Sequence, residues 1–126
     1  MTTKKRILLV DDEKSFTMLL KMNLEETGNF EVRVENWPED AVEAAREFKP
    51  HLVLLDIIMP RLPGGNVATQ IDGDPELKGT PIVFLTAAVR KTQVDDHGGI
   101  ICDHPCLAKP ASIDEVLAAI EKHARA

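Results

Sequence analysis

Short apolar runs punctuate the chain, and each ends abruptly in a polar residue. Ile7-Leu8-Leu9-Val10 runs into Asp11-Asp12, Leu52-Val53-Leu54-Leu55 into Asp56, and Pro81-Ile82-Val83-Phe84-Leu85 into Thr86. A continuous apolar run between turn signals fits a strand buried on both faces, the usual state in a parallel sheet. Phe30-Glu31-Val32-Arg33-Val34-Glu35 instead alternates strictly, so one face is dry and the other wet, as on an edge strand. Cys106-Leu107-Ala108, ending at Lys109-Pro110, predicts a short fifth strand.

Helical periodicity fills the intervals. From Lys14 to Thr27, apolar residues recur at Phe16, Leu19, Leu20, Met22 and Leu24, and Gly28 supplies a stop. Pro38 opens a helix running through Phe48, with Ala41, Val42, Ala45 and Phe48 on one face, and Pro50 ends it. After the turn-rich Arg61-Leu62-Pro63-Gly64-Gly65, a modest helix spans Asn66 to Ile71, and the loop Asp72-Gly73-Asp74-Pro75 follows. Ser112-Ile113-Asp114-Glu115 is a capping box that starts a last helix with Ile113, Val116, Leu117 and Ile120 inward. Ala87 to Pro105 has no clear period beyond a short helix near Val89 to Val94, and Gly98-Gly99 and Pro105 break anything longer.

Strands alternating with helices five times predict an α/β doubly wound parallel sheet with helices on both faces. The three wholly apolar strands take the centre, while the alternating second and the short fifth suit the edges. That gives a flavodoxin-like five-stranded order 2-1-3-4-5, whose switch point lies between strands 1 and 3. Ligand sites of such sheets lie there, at the carboxyl ends of the strands. One acid at a strand end is ordinarily a loop cap, but here Asp11, Asp12 and Asp56 converge on one crevice.

Composition narrows the field. The 126 residues, 44% hydrophobic and 29% charged, read as one domain over residues 1–126 without repeat or linker. The formal net charge of −6 opposes direct nucleic-acid binding, which needs a basic footprint. No apolar run reaches membrane-spanning length. The basic start is followed by only four apolar residues, so we expect a first strand rather than a secretory leader. Two cysteines make no disulfide framework, and the expected location is cytoplasmic.

Carboxylates a few ångströms apart repel, so one protonates or a cation sits among them. Oxygen-only ligands favour magnesium, which commonly takes one or two carboxylates and shares a phosphate oxygen. No histidine or cysteine is placed to make this a zinc site. Thr86 and Lys109, on the next strand ends, add a hydroxyl and a cation. Such a set suits stabilisation of a transferring phosphoryl group, and a carboxylate can itself be the nucleophile.

These residues resemble the response-regulator receiver domain of two-component signalling over essentially the whole chain. The matching motifs are Asp11-Asp12, Asp56 with Met59-Pro60 and Gly64, Thr86-Ala87, and Lys109-Pro110. The resemblance implies that Asp56 accepts phosphate from a histidine kinase or phosphotransfer protein, and that the signal leaves through an unidentified protein partner. It also implies Mg2+ on Asp11, Asp12, Asp56 and the backbone carbonyl of Ile58, with Thr86, the Ala87 amide and Lys109 on the phosphoryl oxygens. Two departures stand out: Cys106 occupies the switch position where the family usually has an aromatic residue, and Ala88 to His104 lacks the family's regular fourth helix. The rival enzyme reading is a small aspartate-nucleophile phosphatase of the haloacid dehalogenase kind. That family needs a second Asp two residues after its nucleophile, where this chain has Ile58. A receiver-like docking module that never sees phosphate is the third reading; the complete acidic set and Lys109 count against it.

Several residues are given plainer roles. His97, Cys102, His104 and Cys106 cluster without a known zinc spacing and read as packing and loop residues. Trp37 is expected to be a packing anchor, His51 and His123 solvated, and Arg90-Lys91 ordinary surface. Ile100 and Ile101 remain open between core and partner patch. Ile58 and Ala88 are apolar where polar side chains in the family help orient attacking water. A phosphorylated Asp56 should therefore hydrolyse slowly, and Ile58→Asn with Ala88→Glu should speed phosphate loss in a time course; an unchanged rate would contradict this.

Overall fold

A computed structural model describes residues 4–87, 100–101, 104–109 and 111–125. The helix expected near Val89 to Val94, the Gly98-Gly99 pair, Ala88, His97 and Cys102 lie outside the described residues. Among the described residues, six strands form one sheet: β1 (Lys5–Val10), β2 (Phe30–Glu35), β3 (Leu52–Leu55), β4 (Ile82–Thr86), β5 (Ile100–Ile101) and β6 (His104–Ala108). Their order is β2-β1-β3-β4-β6-β5. Five parallel strands thus follow the expected 2-1-3-4-5 order, with β6 as the fifth. The addition is β5, two residues antiparallel to β6 that pair Ile100 with Pro105 and Ile101 with His104. The fifth parallel strand also runs through Pro105 rather than starting at Cys106. Proline lacks a donor but is tolerated beside a sheet edge.

The described helices are α1 (Lys14–Glu26), α2 (Ala41–Phe48), α3 (Gly64–Asp72) and α4 (Ile113–His123). Period two along the strands sorts their side chains into two cores. Leu8, Val10, Val53, Leu55, Ile82, Phe84 and Cys106 face α2 and α3, which contribute Ala41, Ala45, Val67 and Ile71. Ile7, Leu9, Leu52, Leu54, Val83 and Leu85 face α1 and α4, which contribute Leu20, Leu24, Val116 and Ile120. Phe84 is wholly buried, and burial of such a side chain contributes about 1.5–3 kcal/mol.

Several boundaries shift from their sequence reading for local reasons. Pro38 opens a single 3-10 turn, Pro38–Asp40, before α2 proper. Pro50 cannot continue α2, so Lys49 turns left-handed at φ 51° while its N–H still reaches the Ala45 carbonyl at 2.8 Å. The third helix begins at Gly64, two residues early. The capping box of α4 is present in both directions: Ser112 Oγ accepts from the Glu115 amide, and Glu115 accepts from the Ser112 amide. Leu19 and Met22, counted toward the helical stripe of α1, are 60% and 61% exposed. The buried face of α1 is carried by Thr17, Leu20 and Leu24. His51 is not simply solvated: its Nδ1 accepts from the Arg6 amide at 2.9 Å, and burial, then Arg6, push its pKa down. Burial also lowers His123.

A polar tie fixes the loop that leads into β4. Asp74 is buried and accepts from Arg46 Nε at 2.7 Å and from the Glu76 amide at 2.9 Å. The Arg46 guanidinium, by hydrogen bonding, holds this carboxyl below the usual carboxylate range. A carboxyl with a depressed folded pKa stabilises the fold above its unfolded pKa of about 3.9, and that share is lost as pH falls further. Urea titrations should therefore show the native chain more stable than Asp74→Asn at neutral pH, with the gap closing toward pH ~3.

Candidate functional site

The parallel ladders set three carboxylates side by side. Val10 pairs in register with both Glu35 and Leu55, so the residues after β1 and β3 emerge together. Backbone bonds continue one step past the strands: Asp56 N–H donates to the Val10 carbonyl at 3.0 Å, and Asp11 N–H to that of Glu35 at 3.2 Å. Asp11, Asp12 and Asp56 each offer a carboxylate oxygen within 4.8 Å of the others. Asp11 and Asp56 are buried, at 3% and 6% exposure.

A cation arrives from the other side of the switch point. Thr86 and Ala108 pair in register, and Lys109 follows directly. Its Nζ lies 2.6 Å from Asp11 Oδ2, 3.7 Å from Glu13 Oε1 and 4.1 Å from the centre of the Phe16 ring. The other Asp11 oxygen, Oδ1, accepts from the Glu13 amide at 3.0 Å. Lys109 is thus held by charge on one side and an aromatic face on the other. Such a cation offsets repulsion within the acidic cluster.

The loop after Asp56 is pressed against the acceptor backbone. Gly64 N–H donates to the Ile57 carbonyl at 2.7 Å. A Cβ at Gly64 would overlap the Asp56 carbonyl oxygen and lie 2.8 Å from the Asp56 carbonyl carbon and from Ile57 Cα. Only glycine fits this approach. Met59 is buried and anchors the loop, whereas the Ile58 side chain is 65% exposed.

The remaining predicted residues divide. Thr86 ends β4, and Ala87 is an exposed turn residue beside it. Cys106 is a free thiol, buried opposite Phe84 in the register of β4 and β6, and burial raises its pKa. A neutral buried thiol is a packing group. His104, two residues before it, meets the Phe84 ring edge-on at 5.9 Å, and its Nε2 pairs with Asp72 at 2.7 Å, a packing and ion-pair role. Trp37 is not the packing anchor expected of it. It is 46% exposed, with the Arg61 and Lys14 cations 4.9 Å and 5.9 Å from its ring centre. A cavity of about 190 Å³ joins Trp37, Lys14, Arg61 and Asp12.

The site roles of Phe16, Thr17 and Asn36 are absent from the sequence reading. Phe16 packs against the core, as its helical spacing implies, and also carries Lys109 on its ring face. Asn36 Nδ2 donates to the Asp11 carbonyl at 2.8 Å and to Thr17 Oγ1 at 3.0 Å. The signal for Asn36 was available: it follows β2, which neighbours β1, so the two strand ends must meet. Thr17 was marked by a hydroxyl on the otherwise apolar face of α1.

Hard oxygen donors converging without cysteine or histidine fit magnesium, and no other described group of three or more acids, histidines or cysteines has comparable geometry. Comparison with known proteins agrees with this architecture. The response regulator receiver domain model matches residues 7–121. The chain belongs to that family, whose members are signalling modules rather than classical enzymes, typically binding Mg2+ in an acidic pocket. It is 37% identical to Protein PilH of Pseudomonas aeruginosa over 87 residues, covering 69% of this chain and 71% of PilH. It is 40% identical to the alkaline phosphatase synthesis transcriptional regulatory protein PhoP of Bacillus subtilis over 83 residues, 66% of this chain. That match spans only 33% of PhoP. In fold it resembles the Vibrio cholerae chemotaxis protein CheY4, with a TM-score of 0.80 at 22% identity, covering 95% of this chain and 98% of that one. The receiver domain of sensor histidine kinase PA1611 from P. aeruginosa, described with magnesium coordinated in its active site cleft, gives a TM-score of 0.79 at 22% identity, covering 95% and 97%.

Because Gly64 abuts the Asp56 backbone, Gly64→Ala should destabilise the fold by about 3 kcal/mol or more, as backbone overpacking does. Urea unfolding measures it, and a shift below about 1 kcal/mol would show that the loop yields freely.

Proposed function

We propose that this chain is a phospho-acceptor switch, with residues 1–126 acting as one receiver domain. Asp56 takes phosphate from a histidine kinase or phosphotransfer protein. The observation that carries the reading is the meeting of Asp11, Asp12 and Asp56 within 4.8 Å, with Lys109 held 2.6 Å from Asp11. An Asp56 carboxylate oxygen attacks phosphorus, the bond from phosphorus to the donor imidazole nitrogen breaks, and imidazole leaves with the bonding electrons. Mg2+, held by Asp11, Asp12, Asp56 and the Ile58 carbonyl, would supply positive charge to the phosphoryl oxygens. Lys109 contributes a second positive charge, and the Thr86 hydroxyl and Ala87 amide contribute donors to the same oxygens. Burial of Asp56 limits competing water, and an exposed apolar Ile58 offers no polar group to orient it.

Protein contact as the mode of signalling has support on the helix that follows the Asp11–Asp12 turn. On α1, Met18, Leu19 and Met22 are 64%, 60% and 61% exposed, a solvent-facing apolar stripe at helical spacing. Such stripes suit a partner helix. PhoP and MtrA are named as transcriptional or DNA-binding regulators, and this chain spans 33% and 36% of them. DNA contact in such proteins need not involve the segment matched here, and the net charge of −6 favours a protein partner.

Incubation with acetyl phosphate and Mg2+, read by intact mass, should give one phosphoryl adduct that EDTA prevents and Asp56→Asn abolishes. Steady turnover of a phosphate ester without labelling would indicate the phosphatase instead. No reaction with any phosphodonor would leave the docking module.

A further inference from the structure

Asn36 sits just past β2, on an element that contributes no carboxylate to the cluster. Its side-chain nitrogen donates to the Asp11 main-chain carbonyl at 2.8 Å and to Thr17 Oγ1 at 3.0 Å. A carbonyl only accepts, so the amide nitrogen faces it and the orientation of Asn36 is determined. Thr17 is buried at 1% exposure. Its hydroxyl points back along α1 to the Lys14 carbonyl at 3.1 Å and the Glu13 carbonyl at 3.3 Å. The segment from Asp11 to Lys14 is therefore gripped from behind. Asn36 holds its first carbonyl, Thr17 its last two, and the Asn36–Thr17 bond joins the grips.

This matters because Asp11 and Asp12 lie on a tight turn between β1 and α1. The Asp11 carboxylate is already engaged, Oδ1 with the Glu13 amide and Oδ2 with Lys109. The orientation of Asp12 depends on the peptide that joins it to Asp11, whose carbonyl Asn36 holds. Repulsion among three acids pushes that turn outward; Lys109 offsets part of it at Asp11, and a fixed backbone resists the rest.

We propose that Asn36 is a positioning residue: with Thr17 it locks the Asp11–Asp12 turn in the conformation that binds the divalent cation. The inference rests on the magnesium site of the proposed function. Groups behind metal ligands typically change metal affinity by about 10–100-fold when removed. Asn36 acts on the backbone rather than on a ligand atom, which places its effect at the lower end, about tenfold.

Trp37 provides the reporter. It is the only tryptophan, and with Asp12 it lines the 190 Å³ cavity beside the cluster. Mg2+ alone is titrated into the full chain and its Trp37 fluorescence followed, alongside thermal unfolding without metal. Asn36→Ala should raise the Mg2+ dissociation constant about tenfold, and acetyl phosphate labelling should recover at saturating Mg2+. Asn36→His, which keeps a donor at similar reach, should restore much of the affinity. Thr17→Val, of nearly equal volume, should weaken Mg2+ by a smaller factor in a chain that still folds. Unchanged Mg2+ affinity in folded Asn36→Ala overturns the inference and leaves the metal site standing. A labelling defect that excess Mg2+ does not relieve also overturns it. No response of the native chain to Mg2+, by fluorescence or calorimetry, overturns the metal site and this inference together.

Discussion

Like charge at close range is the constraint around which the molecule is built. Three carboxylates whose oxygens lie within 4.8 Å of one another repel by about 3 kcal/mol or more per ionised pair at an effective dielectric near 20. The fold counters this with an ammonium group, Lys109, delivered from the far side of the switch point to 2.6 Å from Asp11. Phe16 backs that ammonium with an aromatic face at 4.1 Å. Hydrogen bonds from the Glu13 amide and the Asn36 side chain to Asp11, and from the Asp56 amide to the Val10 carbonyl, fix the turns that bear the acids. An arrangement held together against repulsion is ready to accept more positive charge, which is the property a magnesium-assisted phosphoryl acceptor requires.

The rigidity behind that arrangement comes from the sheet. Two apolar cores clamp its faces, so strand ends keep their registers while the loops above them carry the chemistry. Gly64 extends this rigidity into the loop after Asp56, where backbone meets backbone with no room for a side chain. On the neighbouring strand, Cys106 fills the core opposite Phe84 as a small neutral group, and His104 meets the Phe84 ring edge-on. The contacts around this position are therefore between a small thiol, a fixed phenyl ring and a histidine tied to Asp72.

Where sequence reading succeeded and where it failed follows from how each signal arises. Apolar runs marked the central strands because burial on both faces leaves no polar position, and the Ser112–Glu115 box marked α4 because capping is local chemistry. Leu19, Met22 and Trp37 misled because side-chain polarity does not say which side of a helix or loop faces the core. The α1 stripe combines buried and exposed apolar positions, and spacing alone cannot separate them. Trp37 is expected to pack on residue type alone, whereas its neighbours arrive from elsewhere, Lys14 from the start of α1 and Arg61 from the loop after β3. The β5 pairing went unseen because two residues carry no period.

The chain by itself determined the order of strands and helices, the central position of the apolar strands, and therefore the crevice where Asp11, Asp12 and Asp56 converge. Each is a consequence of hydrophobic patterning and of the alternation of strands with helices, which are legible along the sequence. Tertiary structure decided which groups touch across that crevice: Lys109 with Asp11, Asn36 behind the Asp11–Asp12 turn, Gly64 against Asp56, and Trp37 open to solvent. Those contacts join residues as many as 98 positions apart. They depend on ångström-scale packing of neighbouring strand ends, which periodicity does not encode.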